Sequence, residues 1–368
     1  MEYLNSLIPL IVDWDSLQKN IIERGIRPLF FKKLPLLSAA SLIPADVSTK
    51  LQQSYYRTLS RSMLLYDAFE KISIIFNSNG IQVIALKGIY LSEKLYGDIA
   101  LRQFSDIDLL VRKEDGEKCL EILKELGYRS HEQSITDNGG SLSEIIHYPA
   151  MVLNEVSVEI HIKLHRKTEQ YSLILDELWK NALPINFNKF QCFTLGFNDL
   201  IIYLCIHLDK HFRSNQVQFT SLSDITNILT NFSGTIDWNL LAEDCRRYKC
   251  EDVVFKYIVL THDYFNALVP DSVIYQYKHL ITTKDLQLFH SYLTGFIGLK
   301  SNITSHVINL NQLKSFSPKV QYVLEALFPP KLYMIQKYQI KSPSFYMFFY
   351  PYRWWIGVKG VFKLIVGR

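Results

Sequence analysis

At 368 residues the chain has room for one large or two medium domains with a sizeable core. With 48% apolar residues and a net charge of only +4, it is neither a low-complexity disordered chain nor a protein with the electrostatic footprint of a nucleic-acid binder. Its five cysteines, Cys119, Cys192, Cys205, Cys245 and Cys250, are odd in number and scattered, which reads as free thiols rather than a disulfide framework.

From about 46 to 78, apolar residues recur every three or four positions, at Leu51, Tyr55, Leu59, Met63, Tyr66, Phe69 and Ile72, which predicts one long helix. Asn79-Gly80 ends it, and 81–86 reads as a short buried strand. Gly88 opens a helix to about Tyr96, broken by Gly97-Asp98, and a strand follows over roughly 105–112. A helix over 114–126 stops at Gly127. Two strands are then expected, about 143–153 and 155–163, joined by a tight hairpin at Asn154. Beyond 168 the signals are mainly helical, near 197–213, 220–231, 238–248, 250–267 and 284–297. The expected organisation is an N-terminal helical segment over 1–78, a mixed α/β core over 79–168 and a helical accessory domain over 169–368.

The chemistry concentrates in Asp106-Ile107-Asp108. Side chains alternate along a strand, so Asp106 and Asp108 share a face while Ile107 and Leu109 enter the core from the other. Two like charges side by side are best tolerated with a divalent cation between them. On the later strand Glu159 and His161 lie on the polar face, opposite Val158 and Ile160, and Glu159 is the best third carboxylate for a pair of metal ions. Lys87-Gly88 sits at a strand-to-helix turn, where free backbone N–H groups and the helix dipole favour an anion.

These residues resemble a known family. Leu86-Lys87-Gly88, Tyr96-Gly97-Asp98, Leu101-Arg102, the run from Ser105 to Val111, and Glu159-Ile160-His161 look like the bacterial uncharacterised nucleotidyltransferases of the DNA polymerase β-like superfamily. The motif matches cover 85–165, and a looser similarity through His207, His211 and Asp224 extends over most of the chain. The resemblance implies an α+β fold, with a mixed-sheet nucleotidyltransferase core flanked by N-terminal helices and a large C-terminal helical domain. It also implies transfer of an NMP group from a metal-bound NTP to a hydroxyl, with release of pyrophosphate. Asp106, Asp108 and Glu159 would hold two Mg²⁺ ions, with Mn²⁺ as the substitute, and Glu159 would help deprotonate the acceptor. Lys87, Gly88, Arg102 and Ser105 would meet the nucleotide. The chain departs from the wider superfamily in carrying Lys87-Gly88 where Gly-Ser or Gly-Gly is usual, and in its longer spacing from Gly88 to Asp106.

Each of these residues has a plainer reading. Lys87 alternates between a phosphate ligand and a solvated charge, and Arg102 between a phosphate grip and a salt bridge to Asp98. His161 reads as a ligand or as a hydrogen-bond partner of a carboxylate. His207 and His211, four apart on one helix face, read as packing or, with Asp224, as lining an acceptor pocket. The acceptor is expected to be a small molecule or a protein side chain. The rivals are an inactive nucleotide-binding scaffold of a biosynthetic or surface-polysaccharide assembly, and a toxin-like transferase acting on RNA or protein.

After Glu325 the chain carries seven Lys/Arg, twelve aromatics and no acid. Its longest uncharged run, Ser342 to Tyr352, is 11 residues and is too short to span a bilayer. Packing against the catalytic unit is the first expectation for this tail, and contact with an anionic membrane surface the second. The acid at Glu2 is unlike the basic start of a signal peptide, so the expected location is the cytoplasm, with a peripheral place at the inner membrane surface if the tail meets lipid.

Overall fold

The computed structural model describes residues 2–23, 25–130, 146–165, 171–187, 190–214 and 219–294, then scattered positions between 320 and 340, residues 343–355 and Val358. Three short helices, α1 (Glu2–Leu7), α2 (Trp14–Glu23) and α3 (Arg27–Lys33), lead into the long α4 (Ala45–Ser78). They close over the start of α4 with an apolar cluster of their own, including Ile8, Ile21, Leu34 and Leu51. Gly80, at φ +75°, reverses the chain at the end of α4, and Ile81 N–H returns to Phe76 O at 2.9 Å.

The buried stripe of α4 departs from the expected one. It runs through Leu51, Ser54, Thr58, Ser62, Leu65, Phe69, Ile72 and Phe76, whereas Met63 is exposed. The middle of the stripe consists of small hydroxyl residues because the 98–105 loop crosses the helix closely there. Ser62 Oγ donates to Ile99 O at 2.8 Å, and Gln103 Nε2 to Thr58 Oγ1 at 3.2 Å. Counting apolar residues misses a stripe whose purpose is close approach.

Seven strands form one mixed sheet in the order β3-β4-β5-β2-β1-β7-β6. The strands are β1 (Ile84–Ala85), β2 (Asp106–Leu110), β3 (Arg129–Ser130), β4 (Met151–Leu153), β5 (Val156–His161), β6 (Leu183–Phe187) and β7 (Phe190–Thr194). Between β1 and β3 come α5 (Gly88–Lys94) and α6 (Gly116–Glu125). The β4–β5 hairpin turns at Asn154, φ +54°, as expected. Of the strand expected over 143–153, only Met151–Leu153 is strand; 143–145 lie outside the described residues. The sheet also continues beyond 168, the expected end of the core: β7 runs parallel to β1, with Ile84 opposite Phe193, and β6 pairs with β7. Sequence reading passed over this hairpin because Pro184 interrupts its first strand.

Alternation on β1 and β2 divides two cores. Ala85, Ile107 and Leu109 pack with α4 and α6 on one face. Ile84 and Leu110 face the other way, into the helical layer made by α7 (Leu175–Asn181), α8 (Phe197–Ser214), α9 (Phe219–Asn231), α10 (Trp238–Arg247), α11 (Glu251–Phe265), α12 (Asp271–Tyr277) and α13 (Thr283–Thr294). Full burial of side chains such as Leu204, Ile258 and Phe255 in this layer contributes about 1.5–3 kcal/mol each. Asp106 and Asp108 have the same parity as Leu110, so their carboxylates emerge on the face that the helical layer covers. The α+β architecture is the expected one. All five cysteines are free and buried.

In the tail, Trp354 Nε1 donates to Leu327 O at 2.9 Å and the rings of Phe328 and Trp354 meet edge to face, while Phe345, Phe348 and Trp355 are exposed. Among the described residues no helix is long and apolar enough to cross a membrane.

Candidate active site

The parallel pairing of β2 and β5 sets Asp106 opposite Ser157, Asp108 opposite Glu159 and Leu110 opposite His161. Because the two strands run in register, three acids and an imidazole gather on one face. Asp108 is the most buried of the acids and is held by two partners. Lys87 Nζ lies 2.9 Å from its Oδ2 and His161 Nε2 lies 2.9 Å from its Oδ1. Glu159 Oε2 is 3.6 Å from His161 Nε2 and 3.8 Å from Nδ1 of His147, which sequence reading did not single out. Asp108, Glu159 and His161 offer ligand atoms within 4.8 Å of one another.

The two aspartates are electrostatically unlike. Asp108 pushes the Asp106 carboxyl up to about 6, burial adds to the rise, and Lys87 opposes it. Burial also works against ionised Asp108, but Lys87 and His161 overcome it and hold that carboxyl well below the usual range. Lys87 keeps its charge despite burial because Asp108 faces it, which moves its pKa upward. The Lys87 side chain is half-buried, and its ammonium is paired with Asp108 rather than simply solvated. Its backbone, at φ +43° and ψ −107°, lies in a region that a residue with a Cβ rarely adopts, at a cost of about 1–3 kcal/mol. Gly88 follows for a steric reason: a Cβ there would come within 2.7 Å of the Phe104 ring.

These groups open onto one cavity of about 300 Å³ between the sheet and helices α8 and α9. One wall is formed by Lys87, Gly88, Ser105, Asp106, Asp108 and Glu159, the other by Leu204, His207, His211, Thr220, Ser221 and Asp224. Arg102, Gln103 and Phe104 join the two. His161 stands behind Asp108 and is not on the surface of the cavity. Lys87 Nζ also reaches His207 Nε2 at 3.1 Å, and an ammonium only donates, so that nitrogen carries a lone pair and the ring is neutral. Burial, Lys87 and His211 together move the His207 pKa well down. His211 Nε2 lies 3.1 Å from the same nitrogen.

Arg102 pairs with Asp224 rather than with the expected Asp98. Its Nε and Nη2 grip Asp224, the shortest bond being 2.7 Å, and Tyr96 Oη donates to the same carboxylate at 2.8 Å. Asp98 instead receives Lys32 Nζ at 3.0 Å and Tyr55 Oη at 2.8 Å. Arg102 and Asp224 are almost fully buried and tie the 98–105 loop to α9. Asp209, between the two histidines in sequence, faces α11, where Tyr257 Oη donates to it at 3.0 Å. The cavity residues missed in the sequence had faint signals: Gln103 and Phe104 fill the gap between Arg102 and Ser105, and Thr220 and Ser221 lie one helical turn before Asp224.

The model of the uncharacterised nucleotidyltransferase family matches residues 11–266, which take in both walls of the cavity. The chain belongs to this family. No curated protein matches it in sequence. Among solved structures it resembles the antibiotic-resistance factor ANT(2″)-Ia, crystallised with adenylyl-2″-tobramycin, at TM-score 0.36 and 12% identity over 50% of this chain and 97% of that one. The solution structure of the same factor gives TM-score 0.33 and 10% identity over 54% and 98% of the two chains. An antigenic nucleotidyltransferase-like protein from Paracoccidioides brasiliensis gives 0.29 and 13%, over 55% and 93%. As a member of its family this chain is a nucleotidyltransferase, built on the mixed sheet and helical layer described above.

Proposed function

We propose that the protein transfers an NMP group from an NTP to a hydroxyl of a small-molecule or protein acceptor, releases pyrophosphate, and depends on a divalent metal. The observation that carries this reading is the meeting of Asp106, Asp108 and Glu159 on two adjacent strands at one cavity, with Asp106 held at an elevated pKa by its like-charged neighbour. A site that concentrates negative charge in this way suits cations, and the oxygen-rich donor set fits Mg²⁺ or Mn²⁺. Bound there, a divalent ion would neutralise charge on the attacking and leaving oxygens of an in-line displacement.

The chain's own groups divide the remaining work. Asp106, Asp108 and Glu159 would hold the metal, and His161 fixes the orientation of Asp108 through its 2.9 Å hydrogen bond. The acceptor oxygen forms its bond to the α-phosphorus as the bond to the bridging oxygen breaks, and Glu159 takes the acceptor proton. Lys87, Gly88 and Ser105 line the wall beside the acids, where they would face the phosphates. Arg102, which joins the two walls, would meet the nucleotide while its salt bridge to Asp224 holds it in place. His207, His211 and Asp224 belong to the opposite wall, where the acceptor would enter. Incubation with α-³²P-labelled NTP, Mg²⁺ and cell extract should label an acceptor, and Asp106→Asn should abolish the label. Undiminished transfer by folded Asp106→Asn protein would overturn the assignment.

A further inference from the structure

Asp108 offers two oxygens, and both are in use. Oδ1 meets His161 Nε2 at 2.9 Å from behind, and Oδ2 meets the Lys87 ammonium at 2.9 Å on the cavity side. Lys87 is fixed there by more than this ion pair. Its Nζ donates to His207 Nε2 at 3.1 Å and lies 6.0 Å from the centre of the Tyr203 ring, so α8 holds it from the far side. Burial works against its charge, but Asp108 outweighs burial and the ammonium stays charged. The strained backbone of Lys87, at φ +43°, thus sets a full positive charge against a carboxylate that the proposed function assigns to a metal, and the inference below rests on that assignment.

We infer that Lys87 couples metal binding to nucleotide binding: its ammonium competes with the divalent ion for Asp108 Oδ2 until the phosphates of the NTP draw it away. Two cations that need one oxygen repel each other strongly at a half-buried position, where screening is weak. A triphosphate beside Lys87, Gly88 and Ser105 brings further oxygens within reach of the flexible lysine stem. An ammonium can exchange one acceptor for another, because it is a point charge with rotatable donors rather than a fixed fork. The ion then gains Asp108 as the nucleotide arrives, with phosphate oxygens as additional ligands. A lysine that only pinned the turn before α5 to β2 would act in the opposite sense, since its loss would loosen the acids and weaken metal binding.

Mn²⁺ binding to the full-length protein, read by electron paramagnetic resonance, separates the two roles without any need for turnover. It is measured alone and with α,β-methylene analogues of the common NTPs, whose bridge cannot be cleaved at the α-phosphate. Wild type should bind Mn²⁺ about tenfold more tightly with an analogue than without one. Lys87→Met and Lys87→Gln remove the charge, and both should bind Mn²⁺ alone about tenfold more tightly than wild type and gain less from the analogue. Folded variants that bind Mn²⁺ alone no more tightly than wild type would overturn the inference. So would a wild-type protein whose Mn²⁺ affinity every analogue leaves unchanged, a result that depends on no variant. Either outcome leaves the metal-dependent reaction standing. Failure of wild type and variants to bind Mn²⁺ under any of these conditions would instead overturn the metal requirement in the proposed function, and this inference with it.

Discussion

The two ends of the cavity treat carboxylates in opposite ways. At one end Asp224 is closed off by Arg102 and Tyr96, and every charge has its partner. At the other, three acids share the half-buried ammonium of Lys87 and the His161 imidazole, and Asp106 is left at an elevated pKa. Folding alone favours the first arrangement. The second is costly in the empty protein and makes sense as a place for incoming charge, so the contrast separates a joint that holds sheet to helix from a site that does chemistry.

Breaking the satisfied end should have the largest effect on stability. Asp224→Ala leaves the Arg102 guanidinium buried without a counter-ion, and a loss of about 3–5 kcal/mol is expected in urea unfolding. Asp224→Asn should recover part of that loss, since an amide oxygen still accepts from Arg102. If Asp224→Ala unfolds at the wild-type midpoint, the pair does not hold the 98–105 loop to α9. At the acidic end the large effect falls on rate. Asp108→Asn should lower NMP transfer by on the order of 10³-fold, with the fold retained by circular dichroism. A much smaller loss would remove Asp108 from the reaction.

Much of the acidic end was legible in the sequence, because strand alternation is a strict rule. Asp106 and Asp108 had to share a face, and Glu159 had to oppose the apolar residues of its own strand. The parallel register that sets Asp108 directly beside Glu159 was not legible, since no local pattern specifies which strands pair. The satisfied end was hidden for the same reason. Arg102 and Asp224 are 122 residues apart, and nearby Asp98 was the natural partner to expect. The stripe of α4 shows the converse failure. Ser54, Thr58 and Ser62 look like surface residues until the loop that needs their small size is in place.

The smallest expected effect sharpens the comparison most. Asp106→Asn removes one like charge from the cluster and keeps the shape of the side chain. A carboxyl whose folded pKa is about 6, above its ordinary 3.8, binds its proton more tightly in the native state than in the unfolded chain. Its favourable contribution is therefore greatest at low pH and is lost as pH rises from about 3.8 through about 6, leaving the ionised group as a net cost at neutral pH. In metal-free buffer at pH 7.5 the Asn variant should be about 1–3 kcal/mol more stable than wild type, and the gain should shrink as pH falls towards 4.5. Saturating Mn²⁺ should reverse the order, because wild type regains through metal binding what repulsion costs it and the variant does not. If the Asn variant is no more stable at pH 7.5, or its gain is the same at both pH values, the repulsion assigned to Asp106 is not present. The acidic end would then be as satisfied as the Asp224 end, and the electrostatic distinction between the two would fall.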